Sequence, residues 1–145
     1  MDFGQLLSRR WGEAHTALGL PPGTLELSWD IGPYPHFKTK RGYAVCFHKG
    51  PQSCHLRFAE KTLRAPVHRA DGLARHEMGH AIDFCCDADA LDAWGLSRGV
   101  KIPRTPERRA DAIAEAVWGD PIRYDADLVQ STKNGVYPRP RHLGL

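Results

Sequence analysis

The chain has 145 residues, of which 41% are hydrophobic and 26% charged, as is typical of a globular chain with its own core. No apolar run approaches the roughly 18 residues that cross a membrane, and the N-terminus lacks the apolar stretch of a secretory signal. We therefore expect a single domain over residues 1–145 that is cytoplasmic and has no membrane partner.

The net charge of +3 comes from the first half of the chain. Residues 1–70 carry ten Lys/Arg against five Asp/Glu, whereas residues 71–145 carry ten against twelve. A basic surface attracts nucleic acid, but no nucleic-acid-binding motif accompanies this one. We predict a solvated basic face, and nucleic acid is not expected as a partner. No pattern in the sequence indicates a particular oligomeric state.

The first predicted elements are a helix, a strand and a hairpin. Residues 2–19 place apolar side chains at largely helical spacing and end at Gly19, which predicts an amphipathic helix. Residues 24–29 alternate apolar and polar side chains, which predicts a half-buried strand. Residues 41–49 and 54–63 flank a Gly-Pro-Gln-Ser turn and predict a β-hairpin.

The four cysteines are predicted to be free thiols. A disulfide framework suits a short secreted chain, and this chain shows no secretory signal. Cys46 and Cys54 each lie close to a histidine in the predicted hairpin. Their spacing does not match the zinc sites with a strong record, so we predict half-buried thiols on strands rather than a second metal site.

Residues 76–80 read HEMGH, an instance of the motif HExxH. On a helix, His76 and His80 lie about 40° apart around the axis and roughly 6 Å apart along it, which suits two corners of a zinc tetrahedron. Glu77 lies about 100° from His76, close enough to reach a water molecule at the metal without binding the metal itself. This is the position of a general base.

The residues around the motif indicate that it lies on a helix. An apolar stripe recurs at helical spacing opposite the two histidines. Its members are Ala74, Met78, Ala81, Ile82 and Cys85. Asp71 or a neighbour is predicted to cap the N-terminus, and residues 87–89 to mark the end. Gly79 costs about 1 kcal/mol against alanine in mid-helix, so we expect a strand or a substrate to pack closely against it.

The remaining elements are a connector and a second helix. Residues 91–100 contain Gly95 and Gly99 and are predicted to form a short connector. A helix is predicted over residues 107–118, with Thr105 as N-cap and Pro106 at the first helical position. The order helix, strand, hairpin, helix predicts an α+β fold with a small, mainly antiparallel sheet packed on the HEMGH helix.

A catalytic zinc site takes three protein ligands, so a third residue is required. A histidine six residues after His80 would complete a metzincin site, but Cys86 stands there, and Asp83 replaces the glycine of that pattern. On the second helix, Glu107, Asp111 and Glu115 follow one another at intervals of four residues. Glu107 lies nearest the apolar stripe of that helix, so its geometry is favoured. The alternatives are Asp111, Glu115, Asp83 and a thiol.

HEMGH followed by Glu107-Arg108-Arg109-Ala110-Asp111 resembles the gluzincin arrangement, HExxH then ExxAD. This arrangement is found in thermolysin-like and neprilysin-like peptidases and in small minimal zincins of bacteria and phage. The resemblance implies a zincin-like fold with a second ligand-bearing helix. It also implies that Glu107 is the third zinc ligand and that Asp111 orients a ligand histidine.

The second helix departs from the gluzincin pattern at one point and also fits a second pattern. Arg108 and Arg109 stand where such helices often carry apolar residues. Residues 111–115 resemble the corresponding element of lethal-factor-like peptidases, in which Asp111 would be the ligand and Glu115 would stand behind it.

The sequence therefore predicts a zinc metalloendopeptidase, a hydrolase with Zn²⁺ as cofactor, Glu77 as general base and a peptide or protein as substrate. The alternative is a non-catalytic, zinc-stabilised regulatory or interaction domain that binds nucleic acid through its basic N-terminal half. Five residues have the chemistry of an oxyanion stabiliser, and the sequence does not distinguish among them. They are Arg104, Arg109, Tyr124, Tyr137 and His142.

Overall fold

The structure is a computed structural model that describes residues 2–33 and 44–122. Its helices and strands, in chain order, are α1 (Phe3–Leu18), β1 (Glu26–Gly32), β2 (Ala44–Gly50), β3 (Ser53–Ala59), α2 (Val67–Cys85), α3 (Ala88–Ser97) and α4 (Pro106–Trp118). A short 3-10 helix, Glu60–Arg64, connects β3 to α2. The predicted α+β class is confirmed.

The three strands form one mixed sheet in the order β1-β3-β2. The predicted hairpin is present: β2 pairs antiparallel with β3, with an irregularity between His48 and Gly50. Its second strand is shorter than predicted, because residues 60–64 form the 3-10 helix. β1 pairs with β3 in parallel, from Glu26 opposite Ser53 to Gly32 opposite Ala59. The sheet is therefore less antiparallel than expected, because β1 lies beside the second strand of the hairpin rather than the first.

Helix α1 forms where the sequence predicts it. The Asp2 carboxylate accepts a hydrogen bond from the Gln5 backbone N–H, and the Gln5 side chain accepts one from the Asp2 N–H, both at 2.8 Å. This reciprocal pair satisfies two N–H groups that the helix cannot bond internally. Gly19 ends the helix in the left-handed region, with φ of 70°.

Helix α2 carries the HEMGH motif and lies in the centre of the molecule. It packs against α1, α4 and the sheet, and nearly every residue from Arg69 to Ile82 is buried. The predicted cap is wrong: the helix begins at Val67, and Asp71 lies inside it. The Asp71 carboxylate instead accepts two hydrogen bonds from the Arg10 guanidinium, each 2.8 Å long. These bonds tie α1 to α2.

Gly79 marks the closest approach of α2 and α4. A Cβ atom at this position would lie 2.9 Å from the carbonyl carbon of Ala110 and 3.0 Å from its Cα. The close packing expected at Gly79 is therefore present, but its partner is the backbone of another helix rather than a strand or a substrate. Only glycine permits this approach.

Helix α3 occupies most of the segment that the sequence predicts as a connector. Asp87 caps it by accepting a hydrogen bond from the Ala90 N–H at 3.0 Å. The Trp94 indole N–H donates to the Ala17 carbonyl, at 3.2 Å, and so docks the helix on α1. Gly95 is tolerated because the Ile102 side chain packs where a Cβ atom would stand. That contact comes from a later segment, and local glycine content does not reveal it.

Helix α4 begins at Pro106, with Thr105 in the N-cap position, as predicted. It ends at Trp118, and Gly119 follows in the left-handed region. Its apolar face packs into both hydrophobic clusters of the molecule, through Ala114 in one and Ile113 in the other. Among the described residues, no helix is both long enough and apolar enough to cross a membrane.

Candidate metal centre

The crossing of α2 and α4 brings side chains of both helices together. His76 and His80 lie one turn apart on α2, on either side of Gly79. Ala110, which contacts Gly79, follows Glu107 by three residues on α4. The side chain of Glu107 therefore starts one turn from the contact point and reaches the two histidines.

The Glu107 carboxylate contacts both imidazoles. Its Oε2 atom lies 2.9 Å from His76 Nε2, and its Oε1 atom lies 3.2 Å from His80 Nε2. His76 is fully buried and His80 is 8% exposed, whereas the Glu107 side chain is 40% exposed. The group is thus built into the core and open to solvent on one side.

These three residues form a group that could hold a metal ion. One potential ligand atom from each lies within 4.8 Å of the other two. It is the only such group of His, Cys, Asp and Glu side chains in the part of the chain that the structure describes. Two imidazole nitrogens and one carboxylate oxygen are a donor set that zinc accepts, so the residues present fit a zinc ion.

Asp111 contacts the other nitrogen of His76. The His76 Nδ1–H donates to Asp111 Oδ1 at 2.7 Å, because a carboxylate can only accept. This bond fixes the orientation of the ring and directs Nε2 toward Glu107. The sequence alternatives are thereby separated in space: Glu107 faces Nε2 of both histidines, and Asp111 faces Nδ1 of one.

The electrostatics of the group favour a positive charge on His76 and a negative charge on Glu107. Burial lowers the pKa of His76, but its hydrogen bonds with Asp111 and Glu107 raise it by more, to about 10. Burial raises the pKa of Glu107, but its hydrogen bonds with the two histidines lower it by more, to about 2. At neutral pH His76 therefore carries a positive charge in this arrangement, and a metal ion that binds Nε2 displaces a proton.

Glu77 lies beside this group without joining it. Its Oε2 atom is 3.8 Å from His76 Nε2, and the residue is only 3% exposed. Burial raises the pKa of its carboxyl above the ordinary value for glutamate. A carboxylate with a raised pKa is a stronger base than an exposed glutamate, as a residue that accepts and returns a proton requires.

Arg109, one of the two arginines that depart from the gluzincin pattern, forms ion pairs with two other helices. Its Nε donates to both carboxylate oxygens of Asp83, at 3.0 and 3.2 Å, and its Nη1 donates to Asp92 at 2.9 Å. This network joins α2, α3 and α4. Asp83 therefore forms an ion pair with Arg109. Because Arg109 is engaged in these ion pairs between helices, it is not placed as an oxyanion stabiliser. Of the other candidate oxyanion stabilisers, Arg104 is exposed, while Tyr124, Tyr137 and His142 lie outside the described residues.

An aromatic stack beside the group is absent from the sequence-based predictions. The Phe84 ring stacks on His80, with centroids 6.0 Å apart, and also on His48, with centroids 5.6 Å apart. Phe84 follows His80 by four residues, so helical spacing could have identified it. His48 comes from β2, and no local pattern relates it to the motif.

The predicted metal and base residues are thus gathered within one region between α2 and α4. His76, His80 and Glu107 form the group itself, with Glu77 and Asp111 next to His76. Comparisons with protein-family models, with curated proteins and with solved structures find no match to this chain.

Proposed function

We propose that this protein is a zinc-dependent endopeptidase, in which His76, His80 and Glu107 bind Zn²⁺ and Glu77 is the general base. One observation carries the proposal. The Glu107 carboxylate meets Nε2 of both HEMGH histidines, and the Glu77 carboxyl lies 3.8 Å from one of them.

The geometry supports Glu107 as the third ligand. A ligand must share a point in space with Nε2 of both histidines, and Glu107 is already in contact with both atoms. Asp111 bonds Nδ1 of His76, on the opposite side of the ring. In that position it supports a ligand histidine, as an outer carboxylate commonly does at zinc sites. Glu115 is not a member of the group.

Two features favour a catalytic site over a purely structural one. Structural zinc sites are closed by four protein ligands, whereas the described residues provide three. Burial of an ionisable carboxyl group is energetically costly, and a purely structural zinc site has no role for Glu77 that would offset this cost. The non-catalytic alternative predicts neither feature.

The chemistry would divide between the metal ion and Glu77. When bound, Zn²⁺ supplies Lewis acidity, which lowers the pKa of a water molecule and polarises a peptide carbonyl. Glu77 accepts the proton of the attacking water and later delivers it to the leaving amine. Burial raises the pKa of Glu77, which makes its carboxylate a stronger base than that of an exposed glutamate. Asp111 keeps the His76 ring in its working orientation throughout.

The proposal is tested by incubating the zinc-loaded protein with unfolded casein and with a mixture of synthetic peptides. We expect new peptide termini, detected by mass spectrometry, that disappear after chelation with 1,10-phenanthroline and return with added Zn²⁺. Cleavage that persists after complete zinc removal would assign the activity to another site or to a contaminant. Zinc binding without cleavage of any peptide would favour the non-catalytic alternative.

Replacement of Asp111 by asparagine is expected to weaken zinc binding by about 10–100-fold without abolishing it. The amide keeps the shape of the side chain but loses the charge that supports His76. Affinity can be measured by competition with a chromophoric chelator. Glu115→Gln, which removes the same charge from the same helix outside the group, is expected to bind zinc like the parent. Complete zinc loss in Asp111→Asn would instead indicate that Asp111 is itself the ligand.

A further inference from the structure

Three of the four cysteines converge between the sheet and α2. Cys54, on the central strand β3, is fully buried, and its sulfur lies 3.6 Å from that of Cys85 in the last turn of α2. The Cys54 thiol also contacts the Ala81 carbonyl, at 3.8 Å. Cys46, on β2, lies close enough to Cys54 for the two thiols to interact. The metal centre makes no use of this cluster.

We propose that Cys54 and Cys85 are a redox-active pair that forms a reversible disulfide, joining β3 to α2, when the protein meets a peroxide. The sulfur atoms are 3.6 Å apart, and a disulfide bond needs about 2.0 Å. A small rotation of the two side chains, one of them at a helix end, would close most of this gap.

The chemical step balances with hydrogen peroxide as the oxidant. One thiolate attacks a peroxide oxygen, which breaks the O–O bond and yields a sulfenic acid and water. The second thiol attacks this sulfur and gives up its proton, which forms the S–S bond and releases the oxygen as a second water. In total, two thiols lose two electrons and two protons, and one peroxide is reduced to two waters. A thiol reductant reverses the reaction.

The surroundings of the two sulfurs indicate which cysteine attacks the peroxide and which one resolves the sulfenic acid. Hydrogen bonds from Cys46 and Cys85 lower the pKa of Cys54 to about 6, so its thiolate is the better nucleophile at neutral pH. Burial raises the pKa of Cys85 to about 12, with a further contribution from Cys54. Because Cys54 is fully buried, the oxidant in this proposal is a small peroxide rather than a bulky disulfide. Cys85 is partly exposed and adjacent, and it can resolve the sulfenic acid.

A Cys54–Cys85 disulfide would attach the C-terminal end of α2, the helix that carries the HEMGH motif, to strand β3. It closes a loop of 31 residues, and cross-links of this kind stabilise mainly by restricting the unfolded chain. We expect the melting temperature to rise by about 5–10 °C. Cys85 follows Phe84, whose ring stacks on His80, so the cross-link also acts close to the metal centre.

The test uses the full chain, with and without zinc, so that its outcome does not depend on the proposed peptidase function. After treatment with hydrogen peroxide and removal of the excess, we expect the thiol count of the unfolded protein to fall from four to two. The intact mass should fall by about 2 Da, as two hydrogens are lost. Dithiothreitol should restore both values and the original melting temperature.

Tryptic mapping identifies the bridge. Trypsin places Cys46 in residues 42–49 and Cys54 in residues 50–57, while Cys85 and Cys86 share residues 76–98. The matched control Cys86→Ser removes this ambiguity and is expected to form the same bridge, linking residues 50–57 to 76–98. Cys85→Ser is expected to form none and to show no rise in melting temperature. Cys85→Ala and circular dichroism serve to confirm that loss of the bridge is not loss of folding.

Several results would overturn the proposal. Four thiols remaining after peroxide treatment would show that the pair does not react. A bridge between residues 42–49 and 50–57, or within residues 76–98 of the parent, would assign the chemistry to other cysteines. A gain of oxygen mass without a bridge would show oxidation of a single thiol. Each outcome can be read without any peptidase assay, so it is distinct from a failure of the proposed function.

Discussion

Replacement of Glu77 by glutamine is expected to reduce peptide hydrolysis by about 10²–10⁴-fold and to leave zinc binding intact. The amide has nearly the same shape as the carboxylate but cannot accept a proton from water. Glu77 lies outside the three-residue group, and its carboxyl is 3.8 Å from His76 Nε2, so the proposed ligands keep their positions. Activity is measured as steady-state cleavage of a peptide substrate that has been identified with the parent protein. Zinc content is measured separately by mass spectrometry.

The control for this experiment is Glu115→Gln, which makes the same substitution on α4 outside the group. We expect it to retain the activity of the parent. Full activity in Glu77→Gln would remove Glu77 from the mechanism. Loss of zinc in the same variant would mean that Glu77 is a ligand rather than a base.

The second large effect is expected from Gly79→Ala. The added Cβ would press on the backbone of Ala110, at 2.9 Å from its carbonyl carbon, and backbone cannot move aside as a side chain can. Relief requires separation of α2 and α4, the two helices that carry the candidate ligands. We expect a loss of about 2–4 kcal/mol in the free energy of unfolding, measured in urea, with a parallel loss of zinc affinity. The better helix propensity of alanine, about 1 kcal/mol, offsets only part of this cost.

Gly12→Ala in α1 is the matched control. A Cβ at Gly12 meets no heavy atom within 4 Å, so only the helix propensity changes. This variant is expected to be as stable as the parent or up to about 1 kcal/mol more stable. Equal stability of Gly79→Ala and Gly12→Ala would contradict the close helix crossing.

Local patterns in the sequence predict the helices well because their signals lie within a few residues of one another. The spacing in α1 and α2 and the Thr105-Pro106 start of α4 need no information from elsewhere. Helix α3 is missed because Gly95 is accommodated by Ile102, a residue outside the helix. The parallel pairing of β1 is missed because alternation identifies the buried face of a strand but not its neighbour.

In the candidate site, too, local features are predicted from the sequence, whereas contacts between distant segments are not. HEMGH predicts the placement of His76 and His80 on one helix face from spacing alone. Glu107, 31 residues from His76, is suggested by its position on α4 and by the resemblance to gluzincins. The partner of Gly79, the network around Arg109 and the convergence of Cys54 with Cys85 all depend on the packing of separate elements. No spacing rule within the chain encodes such contacts.

Metal content is the most direct test of the candidate metal centre. The parent, His76→Ala, His80→Ala and Glu107→Ala are each reconstituted with Zn²⁺, dialysed and measured by inductively coupled plasma mass spectrometry, with Glu115→Ala as control. We predict about one zinc per chain in the parent and in the control, and almost none in the three variants. Zinc retained in full by Glu107→Ala, or absent from the reconstituted parent, would contradict the assignment of this group as a zinc site.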